Sequence, residues 1–199
     1  MPKVTKDFYL RDDVVQIAKD LLGKALFTRM NGKVTTGIVV ETEAYSGRND
    51  RACHANQHLR TGRTEVMFSE GGMAYVYLCY GIHHLFNVVT NIEGMADAIL
   101  IRALEPLQGI DEMMQRRKMT SIEKRLTSGP GVLSEAMGIK TVHYGLSLVG
   151  DRIWFEDIRR TIPDEKIHAS KRIGVDYAGE DALKPWRFYI KENTWVSRL

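Results

Sequence analysis

Apolar and polar positions fall into two periods along this chain. Between residues 12 and 22, Val14, Ile17, Ala18, Leu21 and Leu22 recur at helical spacing. Asp12 or Asp13 can cap that helix, and Gly23 can stop it. Extended patterns follow. Ala25 to Met30 and Val34 to Ala44 read as strands joined by Asn31-Gly32, a dipeptide that favours a type I′ hairpin. Ser46 to Glu70 is polar and carries neither period; a loop of that length in a compact domain is usually functional or disordered. Gly71-Gly72 turns the chain into a strand from Met73 to Tyr80, broken by Gly81, and His84 to Thr90 and Ala98 to Leu104 continue the extended pattern. Ile110 to Lys118 reads as a helix. A second helix starts at Ser128-Gly129-Pro130 and ends at Gly138. Short strands are expected at 152–156, 171–175 and 187–191. Strands outnumber helices, and their close spacing favours an antiparallel or mixed sheet, so the class is α+β. No repeat, low-complexity stretch or Pro/Ser linker divides the 199 residues, so one domain over 1–199 is expected.

Composition narrows the class without deciding function. Apolar content of 44% and charged content of 27% are ordinary for a soluble globular protein. No apolar run approaches the ~20 residues of a membrane span, and Met1 to Leu10 lacks the apolar core of a secretory signal. The two cysteines, Cys53 and Cys79, form no framework, which favours a reduced, cytoplasmic compartment. A net charge of +3 says little, but four arginines (48, 51, 60 and 63) accompany the single acid Asp50 between Arg48 and Arg63. Such a patch can follow a phosphate backbone. The basic stretch from Gln115 to Arg125 is equally well read as a solvated helical face.

Chemistry enters with Val39 to Tyr45. Glu41, Glu43 and Tyr45 alternate along an otherwise apolar strand and therefore share a face. A carboxylate among apolar neighbours is costly unless it is paired or solvated. This face is either exposed or a site. Tyr75 and Tyr77 share another strand face, a pattern that sheets often carry for packing alone. Beside a carboxylate strand and an arginine loop, it also suits the stacking of bases. Arg102 stands in an Ile/Leu strand, where an arginine needs a partner. Zinc-ligand spacings, phosphate loops, dinucleotide fingerprints and nucleophile elbows are absent from the sequence. No metal or cofactor is expected.

Several segments follow one another in an order that resembles a known family: Glu41-Thr42-Glu43-Ala44-Tyr45, His54, Arg63-Thr64-Glu65-Val66-Met67-Phe68, Tyr75-Val76-Tyr77-Leu78-Cys79-Tyr80-Gly81, Asn87 and Leu100-Ile101-Arg102-Ala103-Leu104-Glu105-Pro106. Ser128-Gly129-Pro130, Arg172-Ile173-Gly174-Val175 and Lys184-Pro185-Trp186-Arg187-Phe188-Tyr189 complete the series. The chain resembles the alkyladenine (3-methylpurine) DNA glycosylases, the monofunctional type without a helix-hairpin-helix, from its first helix to its C-terminus.

That resemblance implies one α+β domain around a curved, mainly antiparallel sheet, with no cofactor or metal. It implies that Glu43 activates the attacking water and that Arg102 helps hold water and carboxylate, with the Val175 carbonyl as a third water ligand. Tyr45, Tyr77 and His54 would enclose the extruded base. Asn87 would lie at the pocket floor, where it selects against the guanine amine. Tyr80 would fill the gap left in the duplex, and Arg51, Arg63 and Met67 are candidate DNA contacts. The implied partner is double-stranded DNA carrying damaged purines. A monomer away from membranes is expected, cytoplasmic and nucleoid-associated if bacterial.

Elementary chemistry agrees with these roles. A base inside a duplex must be extruded before it can be reached. N3 or N7 alkylation makes a purine cationic, which favours stacking on tyrosine and weakens the glycosidic bond. One carboxylate then suffices to activate water and stabilise an oxocarbenium-like sugar. Glu41 has no second-carboxylate role by spacing and is expected to be structural or to pair charge. A nucleic-acid-binding module without turnover would need neither Glu43 nor Arg102, and a hydrolase of free nucleosides would need neither Tyr80 nor the basic loop.

Overall fold

The computed structural model describes residues 1–198. Its helices are α1 (Lys6–Tyr9), α2 (Val14–Asp20), α3 (Ile110–Arg116) and α4 (Pro130–Met137). Its strands are β1 (Ala25–Met30), β2 (Lys33–Tyr45), β3 (Ala74–Cys79), β4 (His83–Thr90), β5 (Asp97–Gln108), β6 (Ile153–Glu156), β7 (Ile167–Ser170) and β8 (Arg187–Ile190). Short 3-10 turns fill the connections. The strands form one antiparallel sheet in the order β3-β4-β5-β2-β1-β6, with β8 pairing both β2 and β7. The chain is α+β, as its periodicity predicts. No helix of the described residues is long and apolar enough to cross a membrane.

Helix α2 and the β1–β2 hairpin form as expected. The Asp13 side chain accepts from the Gln16 N–H at 2.9 Å and caps α2. Val14, Ile17 and Ala18 are buried against the sheet, and the Ala18 carbonyl takes the Thr42 hydroxyl at 2.9 Å. Asn31 and Gly32 both have positive φ, 51° and 77°, as a type I′ turn requires. Helix α4 carries Pro130 in its first turn and ends at Gly138 in the left-handed conformation.

Two differences from the periodicity bear on the site. Residues 171–175 are not a strand; the strand beside β8 is Ile167–Ser170. Beyond Ser170, Arg172 turns inward to meet Asp50, and Gly174 takes φ 76°, so the chain leaves the ladder. The second is a double irregularity between β2 and β5. Val39 pairs with Leu104, Glu41 with Ala103 and Thr42 with Ile101. Val40 and Arg102 are therefore left without register partners. A bulge of this kind re-aims side chains, here beside the two glutamates.

The polar segment 46–70 is folded. It contains 3-10 turns at Asn56–His58 and Glu65–Phe68, and it buries Cys53, Ala55, Met67 and Phe68 against β3 and β4, while Ala52 packs with Val175, Ala178 and Ala182. Both cysteines are free.

Candidate active site

Glu43 lies on the C-terminal half of β2, between β5 and β8, with no exposed surface. Its Oε1 accepts from the Ile173 N–H at 2.8 Å. Its Oε2 accepts from the Tyr45 hydroxyl at 2.7 Å and lies 3.2 Å from Arg102 Nη1. A carboxylate offers about four acceptor positions. Ile173 and Tyr45 each fill one, on different oxygens, and Arg102 adds an ion pair on the Oε2 side. Burial first, and then the neighbouring Glu43 charge, push the Tyr45 phenol well above its ordinary range, so it stays a donor.

Strand alternation puts Glu41 on the same side, and Arg102 joins the two carboxylates. Its Nε donates to Glu41 Oε1 at 2.9 Å while Nη1 faces Glu43. Burial alone would raise the Glu41 pKa, but the Arg102 charge, the Ser197 N–H and Arg187 hold it below its ordinary value. Burial likewise works against the Arg102 charge, and Glu43 and Glu41 more than offset it. Glu41 is therefore a charge partner, as expected.

One cavity of about 580 Å³ opens beside this pair. Arg102 and Tyr45 line it; Glu43 sits just behind them. On its far side, His54 Nδ1 is 2.8 Å from the Tyr75 hydroxyl, and its ring meets Tyr77 edge-on at 4.8 Å. Arg63 rests 4.6 Å above the Tyr77 ring, with Nη2 within 2.8 Å and 2.6 Å of the two His54 nitrogens. Guanidinium only donates, so the imidazole must keep an unprotonated nitrogen. In agreement, burial and the Arg63 charge push the His54 pKa down to about 4.

The remaining expected residues also gather here. Asn87 is buried on the cavity wall, its amide donating to the Tyr75 carbonyl at 3.1 Å, which fixes the group in place. Val175 borders the cavity, and its carbonyl already accepts the Ala178 N–H at 2.9 Å. Met67 lines the cavity from a buried position instead of facing open surface, because the Glu65–Phe68 turn folds inward. Tyr80 stands at the cavity rim on the β3–β4 turn, 91% exposed and with φ 51°. Arg51 is exposed; its backbone N–H is tied to Asp181 at 3.0 Å. The basic loop is only partly free for a polyanion: Arg48 pairs with buried Asp97 at 2.7 Å.

Sequence reasoning assigned no role to the group that supports Tyr45. Arg172 is fully buried and grips Asp50 at 2.5 Å and 2.7 Å. Its guanidinium lies 4.7 Å from the Tyr45 ring and donates to the Ala44 carbonyl at 2.8 Å. The signal that could have exposed it is Asp50, a lone acid among arginines. Arg187 and Ser197 have no role in the sequence reading either; they bond Glu41 from sequence positions far from it.

The methylpurine-DNA glycosylase family model matches residues 7–194. A Chlamydia felis protein with the provisional name 3-methyladenine DNA glycosylase is 45% identical, over 93% of this chain and 94% of that protein. Similarly named proteins of Natranaerobius thermophilus and Bacillus cereus strain G9842 are 43% and 45% identical, and each alignment spans at least 96% of both chains.

Proposed function

This chain belongs to the methylpurine-DNA glycosylase family, and from that premise we propose that it excises alkylated purines from duplex DNA, 3-methyladenine among them, with a water activated by Glu43. The observation that carries this reading is the buried Glu43. It is oriented by Arg102, Ile173 and Tyr45, and two of these, Arg102 and Tyr45, line a cavity walled by tyrosines.

In this reaction the damaged nucleotide leaves the duplex and its base enters the cavity between Tyr45 and Tyr77, with His54 at the edge. Tyr80 takes the vacated space in the duplex. The tyrosine faces favour a cationic ring, an attraction of the kind that holds the Arg63 guanidinium 4.6 Å from the Tyr77 ring. Water donates a hydrogen bond to Glu43. As the N-glycosidic bond breaks, its electron pair leaves with the base, which becomes neutral. The water oxygen bonds to C1′ and its proton passes to Glu43. The negative charge of Glu43 also stabilises the sugar cation as it develops. Arg102, 3.2 Å from Oε2, holds the carboxylate in place. Neutral lesions such as hypoxanthine would in addition require protonation of the leaving base. No lysine is placed as a nucleophile, so the product is an abasic site in an intact strand.

The test is single-turnover incubation with methylated duplex DNA and with an inosine duplex, following the released base by chromatography. Release of 3-methyladenine with strand breaks only after alkali is the expected result. Bound lesion DNA with no base released would contradict it.

A further inference from the structure

Behind Arg102 lies a polar cluster that does not touch the cavity. Glu41 receives Arg102 Nε at 2.9 Å, Arg187 Nε at 2.8 Å, the Ser197 N–H at 2.6 Å and the Ser197 hydroxyl at 2.9 Å. Three of these donors converge on Oε1 and the Ser197 N–H takes Oε2. Arg187 is itself buried on β8, register-paired with Glu43, and is held by the Ser170 hydroxyl at 3.1 Å and by the Arg198 carbonyl. Two carboxylates and two guanidiniums thus share one desolvated volume, and Arg102 is the only one of the cations that touches both acids.

We infer that Arg187 and Ser197 are positioning residues for base excision: by satisfying Glu41 they leave the Nη1 edge of Arg102 to Glu43, and so set the charge and orientation of that carboxylate. The inference rests on the assignment of Glu43 as the base. Without Arg187, Glu41 and Glu43 would compete for one guanidinium, and each would be harder to ionise. Without the Glu41 charge, Arg102 and Arg187 would both favour ionised Glu43. The other groups facing Glu43 are untouched by either change: Tyr45 on its own strand, the Ile173 N–H, and Arg172, whose charge is countered by Asp50.

The test is the acidic limb of the single-turnover rate on methylated duplex DNA. Arg187→Gln is expected to move it up by about one pH unit, and Glu41→Gln to move it down by about as much. The double variant Glu41→Gln/Arg187→Gln is expected near wild type. Arg187→Lys keeps the charge and is expected to recover most of the shift; Ser197→Ala is expected to raise the limb by a smaller step. Loss of packing alone would lower amplitude or stability in every variant without opposite shifts. Where Arg187→Gln does not fold, Glu41→Gln and Ser197→Ala carry the same test. A limb unmoved in these variants, or moved the same way by Glu41→Gln and Arg187→Gln, overturns the inference. If Glu43→Gln keeps excising, the assignment of Glu43 fails instead; if it is inactive while the limb stays put, only the positioning role fails.

Discussion

The Tyr45 hydroxyl donates to Glu43 Oε2 at 2.7 Å from two residues along the same strand. One side chain thus offers its ring to the cavity and its hydroxyl to the carboxylate. Tyr45→Phe keeps the ring and removes the bond. The acidic limb of excision is expected to rise, because a carboxylate that loses a donor is protonated more easily, while affinity for lesion DNA stays near wild type. Tyr45→Ala removes the stacking face, and affinity is expected to fall about tenfold, within the ~1–3 kcal/mol range of base–aromatic stacking. Fluorescence-anisotropy titration and a pH–rate series measure the two effects.

Tyr80 stands clear of the fold. Tyr80→Ala is expected to change unfolding free energy by no more than about 0.5 kcal/mol. The same substitution should slow excision from duplex DNA more than from single-stranded DNA, since only the duplex leaves a gap to fill. Equal slowing on both substrates would remove Tyr80 from that role.

The buried pair Asp50–Arg172 supports Tyr45 from behind. Asp50→Ala leaves the Arg172 charge unpaired and is expected to cost about 3–5 kcal/mol in a urea melt. Asp50→Ala with Arg172→Met removes both charges and should cost less than the single change. A double variant that loses as much as the sum of the two single variants would show that the residues act independently.

His54 makes the fold sensitive to acid. Burial and Arg63 depress its pKa to about 4 from an ordinary 6.5. Between those values the unfolded chain binds a proton that the folded chain does not, so stability falls as pH drops from 6.5 toward 4. His54→Gln should flatten the dependence of Tm on pH across that window. An unchanged slope would mean that other groups dominate it.

Much of this arrangement is legible in the sequence wherever it is local. Asn31-Gly32 announces its turn, Asp13 and Gly138 bound their helices, and alternation places Glu41, Glu43 and Tyr45 on one face. The connections that tie the site together are not local. Asp50 meets Arg172 across 122 residues, and Glu41 meets Ser197 across 156; no period records such a pairing. The strand expected at 171–175 is lost to the same kind of contact, since the chain turns at Gly174 with φ 76° while Arg172 reaches Asp50. Arg102 is oddly placed by composition, but the bulge that aims it follows from the pairing of two strands and from neither strand alone.

The most direct test of the account is Glu43→Gln. The substitution keeps the shape and the Tyr45, Ile173 and Arg102 neighbours, and removes the charge and the basic oxygen. Base release from methylated duplex DNA under single-turnover conditions, measured beside binding of the same duplex, is expected to be abolished while binding survives. Undiminished release would contradict water activation by Glu43. Loss of release and binding together would make Glu43 a structural residue.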